Sequence, residues 1–117
     1  MTVIIKDIVG KDGITINQGH AVYEVIHPAL QREEDVTVDF AGIEATTAVF
    51  LNTAIGQLFR DITVDTVNTH LKFVSVSAGK RMALTTVMTN AAKYYNNDQY
   101  RNAVDRVIKK HAEEGGN

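Results

Sequence analysis

The chain has 117 residues and contains no cysteine. This absence excludes disulfide bonds, thiolate zinc sites, iron–sulfur clusters and cysteine nucleophiles, and it favours the reducing cytoplasm as the compartment. Long apolar runs are also missing, since the longest one spans only Ala48 to Leu51. A run this short cannot cross a bilayer. Charged residues at positions 6, 7, 11 and 12 stand where a secretory signal would be apolar, so we expect neither a membrane span nor secretion.

An excess of charge of one sign is missing as well. The net charge is −2, which leaves no overall attraction for nucleic acid or for an anionic membrane surface. The hydrophobic share of 44% and charged share of 22% are typical of a folded globular protein. A chain of this length is typically one domain with a single hydrophobic core. We therefore predict a single domain over residues 1–117, with a flexible tail at 113–117.

The strand pattern begins with two short β-branched runs on either side of residues 10–13, and these predict an opening hairpin over residues 1–16. A five-residue alternation over residues 36–40 predicts a central strand, and residues 71–76 predict another. Because strands alternate with helical segments, the sequence predicts an α/β fold. The expected architecture is a small mixed sheet of about four strands packed by about four helices.

Apolar residues at helical spacing predict the four helices. The first starts near Gln18 and kinks or restarts near His27, because Pro28 inside it lacks an N–H donor. The second ends near Asp61, and residues 62–69 form a connection with room for one helical turn. The N-caps predicted for the four helices are, in chain order, Asn17, either Thr46 or Thr47, Ser77 and Asp98.

One group of side chains has the residue types of a metal site. His20, Glu24 and His27 recur at i, i+4 and i+7, so one metal ion could be within reach of all three. A carboxylate between two histidines is equally ordinary on a solvated helix face, and the His-Glu-x-x-His order is absent. A metal enzyme built on these residues is therefore the third hypothesis. We predict no catalytic residue, no metal and no cofactor.

Two further motifs have structural interpretations. Residues 77–80 precede a helix as a phosphate-binding loop would, but Val74 stands where its first glycine belongs and Arg81 replaces the hydroxyl residue that holds magnesium, so we reject a P-loop. Asp39 ends the predicted central strand, and we expect its carboxylate to accept N–H groups from the next turn rather than act in catalysis.

Thr46 and Thr47 stand at the predicted start of the second helix. A hydroxyl there caps the helix, and a phosphate there would meet free N–H groups and the positive end of the helix dipole. The spacing alone favours a cap, and we predict Thr47 as that cap, with Thr46 as the alternative.

The segment from Val36 to Asn52 carries Asp-Phe-x-Gly-Ile at 39–43 and Phe-Leu-Asn at 50–52. Together with residues 54–58 it resembles the STAS-like domain family of uncharacterised function, and the likeness extends from about Asn17 to Tyr95. More distantly, the segment is similar to anti-sigma-factor antagonists. Those proteins share a strand, an Asp-x-x-Gly turn and a helix whose first hydroxyl is phosphorylated by a partner kinase with a histidine-kinase-type ATPase fold. Thr47 lines up best with that hydroxyl.

The resemblance implies a non-catalytic regulatory protein-interaction domain of bacterial-type signalling. Its expected partner is a histidine-kinase-like ATPase, and the phosphorylation candidates are Thr47 and Thr46. The alternative is a small-ligand or nucleotide-sensing domain with its site at the same strand-to-helix turns. The residues predicted to contact a partner protein are Gly42, Glu44, Thr46, Thr47 and Asn52.

Overall fold

Short strands and helices alternate along the chain in the computed structural model, which describes residues 1–96. The strands are β1 (Thr2–Ile4), β2 (Asp12–Gly13), β3 (Val36–Asp39), β4 (Ala45–Thr46) and β5 (Leu71–Val74). The helices are α1 (Ile5–Val9), α2 (Ile16–Gln31), α3 (Ala48–Ala54), α4 (Val64–His70) and α5 (Ala78–Asn96), with a 3₁₀ helix at Gly56–Arg60 after α3. The helix predicted after Asp98 and the tail at 113–117 lie outside the described residues. The predicted α/β class is confirmed.

The larger sheet has three parallel strands in the order β1-β3-β5, so the predicted central position of β3 is confirmed. Val38 in β3 pairs with Val3 on one side and with Phe73 on the other. Val36 and Val38 are fully buried, whereas Thr37 and Asp39 between them are half-buried. This alternation is the period-two pattern that predicted the strand.

The predicted opening hairpin is wrong. β1 pairs in parallel with β3, while β2 pairs in parallel with β4 in a separate two-stranded sheet. Between them the chain forms α1, which turns Ile5 into the core and packs Ile8 and Val9 against it. These residues have the i, i+3, i+4 spacing of one helix face, so tertiary packing overrides the strand preference of β-branched residues.

Helix α2 begins with a capping box that the sequence prediction missed. The Thr15 hydroxyl accepts a hydrogen bond from Gln18 N at 3.1 Å, and the Gln18 side chain accepts one from Thr15 N at 3.0 Å. The predicted cap, Asn17, is therefore wrong. The reciprocal pair satisfies two N–H groups at once, which a single asparagine cap does not do.

Helix α2 continues through Pro28 to Gln31, so the predicted restart near His27 does not occur. Pro28 is exposed, while Ile26, Ala29 and Leu30 on either side of it are almost completely buried. A proline inside a helix costs about 3 kcal/mol, and burial of these neighbours offsets that cost.

The segment predicted as a connection at 62–69 contains α4, which is longer than the single turn expected. Thr63 caps it by accepting a hydrogen bond from Thr66 N at 3.1 Å, and Val67 is fully buried. Helix α5 has the cap that was predicted, because Lys80 N donates to the Ser77 hydroxyl at 3.2 Å. Among residues 1–96, no helix is long and apolar enough to span a membrane.

Candidate functional site

The turn that follows β3 is held in one conformation. The Asp39 carboxylate accepts a hydrogen bond from Ala41 N at 2.8 Å, which confirms the structural role predicted for it. Gly42 has a φ of +78°, a backbone conformation that favours glycine. Ile43 is buried and anchors the turn to the core. Gly42 and Glu44 therefore lie on an ordered, exposed loop.

The next part of the loop is paired with residues 11–13. Glu44 N donates to Lys11 O at 2.8 Å, and Thr47 N donates to Gly13 O at 3.0 Å. The Asp12 carboxylate accepts a further bond from Ala45 N at 3.1 Å. The loop therefore depends on a distant part of the chain for its shape.

Three lysines lie beside this loop. Lys80 donates to Glu44 O at 3.1 Å, and Lys11 Nζ is 4.0 Å from Glu44 Oε2. Lys6 lies against Gly42, since a Cβ placed on that glycine would be 2.9 Å from Lys6 Cδ. The Lys11 and Glu44 side chains are about 70% exposed, so their ion pair adds little stability. These charged side chains therefore border the loop and contribute little to the stability of the fold.

Thr47 is the N-cap of α3, which settles the choice between the two threonines. Its hydroxyl accepts a hydrogen bond from Phe50 N at 3.1 Å and donates one to Ile14 O at 2.6 Å. Thr46 is half-buried in β4, and its hydroxyl makes no hydrogen bond to any residue within 1–96. Phosphorylation of Thr47 would remove the hydrogen bond that its hydroxyl donates to Ile14 O. Phosphorylation of Thr46 would remove no described hydrogen bond.

Exposed apolar residues occur at the starts of α2 and α3, near the elements that hold Thr47. Val49 is 48% exposed in the first turn of α3, and Ile14, whose carbonyl binds the Thr47 hydroxyl, is 42% exposed. Ile16, at the start of α2, is 62% exposed. We call Ile14, Ile16, Thr46, Thr47 and Val49 the Thr47 face.

Residues 18–80 match the family model of the STAS-like domain of unknown function, which is just over half of the chain. The chain belongs to this family. The resemblance and the STAS-like α/β fold predicted from the sequence are therefore confirmed. No curated protein and no solved structure matches the chain. The matched part of the STAS-like domain runs from the first turn of α2 to the first turn of α5 and contains the whole loop, α3 and Lys80.

The structure brings together four of the five residues that were predicted to contact a partner of the STAS-like domain. Gly42, Glu44, Thr46 and Thr47 follow one another along the loop into α3. Asn52 is also exposed, but its side chain lines a cavity between α3 and α5. Asn52 therefore lies at the border between the loop and this cavity.

Ile14 and Ile16 were not predicted as surface residues of the STAS-like domain, because both were placed within the opening hairpin. The available signal was the Thr15–Gln18 capping box, which moves the start of α2 to Ile16. Val49 was also missed, although it follows the capping Thr47 by only two residues, where a helix position is usually exposed.

The histidines that suggested a metal site each have a different carboxylate partner. His20 lies 3.0 Å from Glu24, whereas His27 lies 2.9 Å from Asp61. Within residues 1–96 no three His, Asp or Glu side chains are grouped so that they could hold a metal ion. A further histidine, His70, lies 2.8 Å from Asp35, and its hydrogen bond is the main cause that lowers the pKa of the Asp35 carboxyl below the ordinary value.

Replacing Thr47 by alanine is expected to cost about 1 kcal/mol of unfolding free energy, as removal of an N-cap usually does. Phe50 N loses its acceptor and Ile14 O loses its donor. Thr46→Ala should change stability by less than about 0.5 kcal/mol, because no described hydrogen bond is lost. Urea denaturation measures both. Thr47→Ser is the control that keeps the hydroxyl, and equal losses for the two alanine variants would contradict the assignment of the cap.

Proposed function

We propose that this STAS-like domain is a non-catalytic regulatory protein-interaction domain, and that its partner binds the Thr47 face. The observation that supports this proposal is the exposure of Ile14, Ile16 and Val49 at the starts of α2 and α3. Exposed apolar side chains gathered in one place and bordered by polar groups are typical of a protein-binding surface. Lys11, Glu44 and Lys80 provide such a border. The lack of cysteine supports the cytoplasm as its compartment.

The rigidity of the loop supports the same proposal. Its backbone N–H groups at Ala41, Ala45 and Thr47 are bound to Asp39, Asp12 and Gly13 respectively. A partner that docks here pays little conformational entropy to order the loop. A surface that is already ordered loses less binding free energy to conformational entropy than a mobile surface of equal area.

The family resemblance supports a histidine-kinase-like ATPase as the partner and a threonine as the target of its kinase activity. Of the two candidates, we propose Thr46, because its hydroxyl is not used by a described hydrogen bond. A phosphate adds about −1.5 to −2 charges. Next to the exposed side chains of Ile14 and Val49, that charge would have to be desolvated when the partner docks. Phosphorylation therefore weakens the complex.

Calorimetry with a histidine-kinase-like ATPase from the same organism tests the surface. Val49→Asp is expected to weaken binding about tenfold or more, because a charge enters the apolar centre of the contact. The fold should tolerate it, since an acidic residue in the first turn of a helix is favourable. Val25→Asp is the matched control, because Val25 is 39% exposed on α2 and lies outside the Thr47 face.

Thr46→Glu tests the switch in the same measurement and is expected to weaken binding, while Thr46→Ala, which adds no charge, is expected to weaken it much less. If Thr46→Glu binds as tightly as the wild type, the proposed phosphorylation switch is wrong, but the proposal that the partner binds the Thr47 face still stands. Equal loss for Val25→Asp and Val49→Asp would contradict the surface. If no such ATPase binds the wild type, the ATPase partner is wrong and the small-ligand alternative is favoured.

A further inference from the structure

A concave site borders the Thr47 face at Asn52 and lies between α3, the 3₁₀ helix and α5. Its cavity measures about 350 Å³. Gly56 lies in its wall, where a Cβ would make ordinary van der Waals contacts, 3.4 Å from Asn52 Oδ1 and 3.5 Å from Val87 Cγ1. The lining residues are Asn52, Thr53, Gly56, Gln57, Asn90, Ala91, Tyr94 and Tyr95. The volume is at the lower end of the range for ligand pockets and suits a small ring system.

Three carboxamide side chains converge on this cavity, those of Asn52, Gln57 and Asn90. Within residues 1–96, none of these side chains forms a hydrogen bond with another side chain or with the backbone. Each therefore offers both a donor and an acceptor to an occupant. Such groups suit a ligand that presents a donor and an acceptor side by side.

Two aromatic rings form one wall of the cavity. Tyr94 and Tyr95 stand edge to face, with ring centroids 4.8 Å apart and planes at 87°. One ring face is suited to stacking on a flat ligand. No charged residue is among the described lining residues. Among the described lining residues, a phosphate or carboxylate group would therefore meet no cation.

We propose that this cavity binds a purine nucleoside without phosphate groups, for which adenosine is the best match. Asparagine and glutamine carboxamides pair in a bidentate way with the N6 and N7 edge of adenine. Aromatic side chains stack on the base. The neutral lining favours a nucleoside over a nucleotide. This site shares no residue with the Thr47 face, and Asn52 lies at the border between the two.

Isothermal titration calorimetry of the full chain with adenosine, AMP, guanosine and glucose tests the site. Adenosine is expected to bind, with AMP no tighter. Asn90→Ala is expected to weaken adenosine binding about tenfold, because a buried base edge then lacks its partner. Asn52→Ala is a second variant with the same expectation. Asn17→Ala is the matched control, since Asn17 is an exposed asparagine outside the cavity.

Each result decides between the proposal and an alternative. Adenosine binding that is lost in both cavity variants and kept in Asn17→Ala, with unchanged thermal midpoints, supports the nucleoside site. Absence of adenosine binding by the wild type overturns it. If Asn52→Ala and Asn90→Ala bind adenosine as the wild type does, the ligand does not bind in this cavity. If AMP binds much more tightly than adenosine, the proposal of a neutral site is wrong. If glucose alone binds, the proposed ligand class is wrong. Because the ATPase titration uses different variants, failure here leaves the proposed function standing.

Discussion

Replacing Phe50 by alanine is expected to lower the free energy of unfolding by about 3–5 kcal/mol, the usual cost of removing a buried aromatic ring. Phe50 is completely buried in the first turn of α3. Its ring also lies against β2, because a Cβ placed on Gly13 would be 2.6 Å from Phe50 Cε1. The ring therefore joins the start of α3 to the strand that holds the loop.

Urea denaturation followed by circular dichroism measures this loss. Small domains have about 5–15 kcal/mol of stability, so the Phe50→Ala variant is expected to unfold at a much lower urea concentration. Val49→Ala is the matched control, one residue earlier and 48% exposed, with an expected change of less than about 1 kcal/mol. A loss below about 2 kcal/mol for Phe50→Ala would show that the ring is not packed as described.

Replacing Gly19 by alanine is expected to destabilise the protein by about 1–3 kcal/mol through overpacking. This result is opposite to helix propensity, which favours alanine over glycine by about 0.5–1 kcal/mol inside a helix. A Cβ on Gly19 would lie 2.8 Å from Phe50 O and 2.8 Å from Thr53 Cβ. Since Phe50 O belongs to the backbone, α2 and α3 would have to move apart.

Gly79→Ala is the control for Gly19→Ala. Gly79 also lies in a helix, but a Cβ there meets no atom within 4 Å. We expect this substitution to be neutral or to stabilise by up to about 1 kcal/mol. Thermal unfolding of the two variants compares them directly. If Gly19→Ala were as stable as Gly79→Ala, the close approach of α2 and α3 would be contradicted.

The approach of α2 to α3 also matters for the Thr47 face. Ile16 begins α2 and Val49 lies in the first turn of α3, so the contact at Gly19 keeps these two helix starts together. A Gly19→Ala variant that folds is therefore expected to bind the partner more weakly than wild type. This expectation rests on the proposed function and is checked in the same calorimetric measurement.

Features that depend on neighbouring residues could be predicted from the sequence. The alternation of Val36 and Val38 predicted β3 and its central place, and Asp39 predicted the turn that follows. Helical spacing predicted the main body of α2, α3 and α5. The distinctive segment from Val36 to Asn52 predicted the family. These signals are local, because periodicity and side chain-to-backbone bonds act over a few residues.

Which distant segments of the chain pair with each other is seen only in the tertiary structure. β1 and β2 look like partners in the sequence, yet each pairs with a strand about thirty residues further along. The Thr47 hydroxyl reaches Ile14 O across 33 positions, whereas the Thr46 hydroxyl has no hydrogen bond within residues 1–96. The carboxamide cavity likewise joins α3 to α5. Such pairings depend on the burial of side chains such as Ile5 and Phe50 in one common core, which no local pattern specifies.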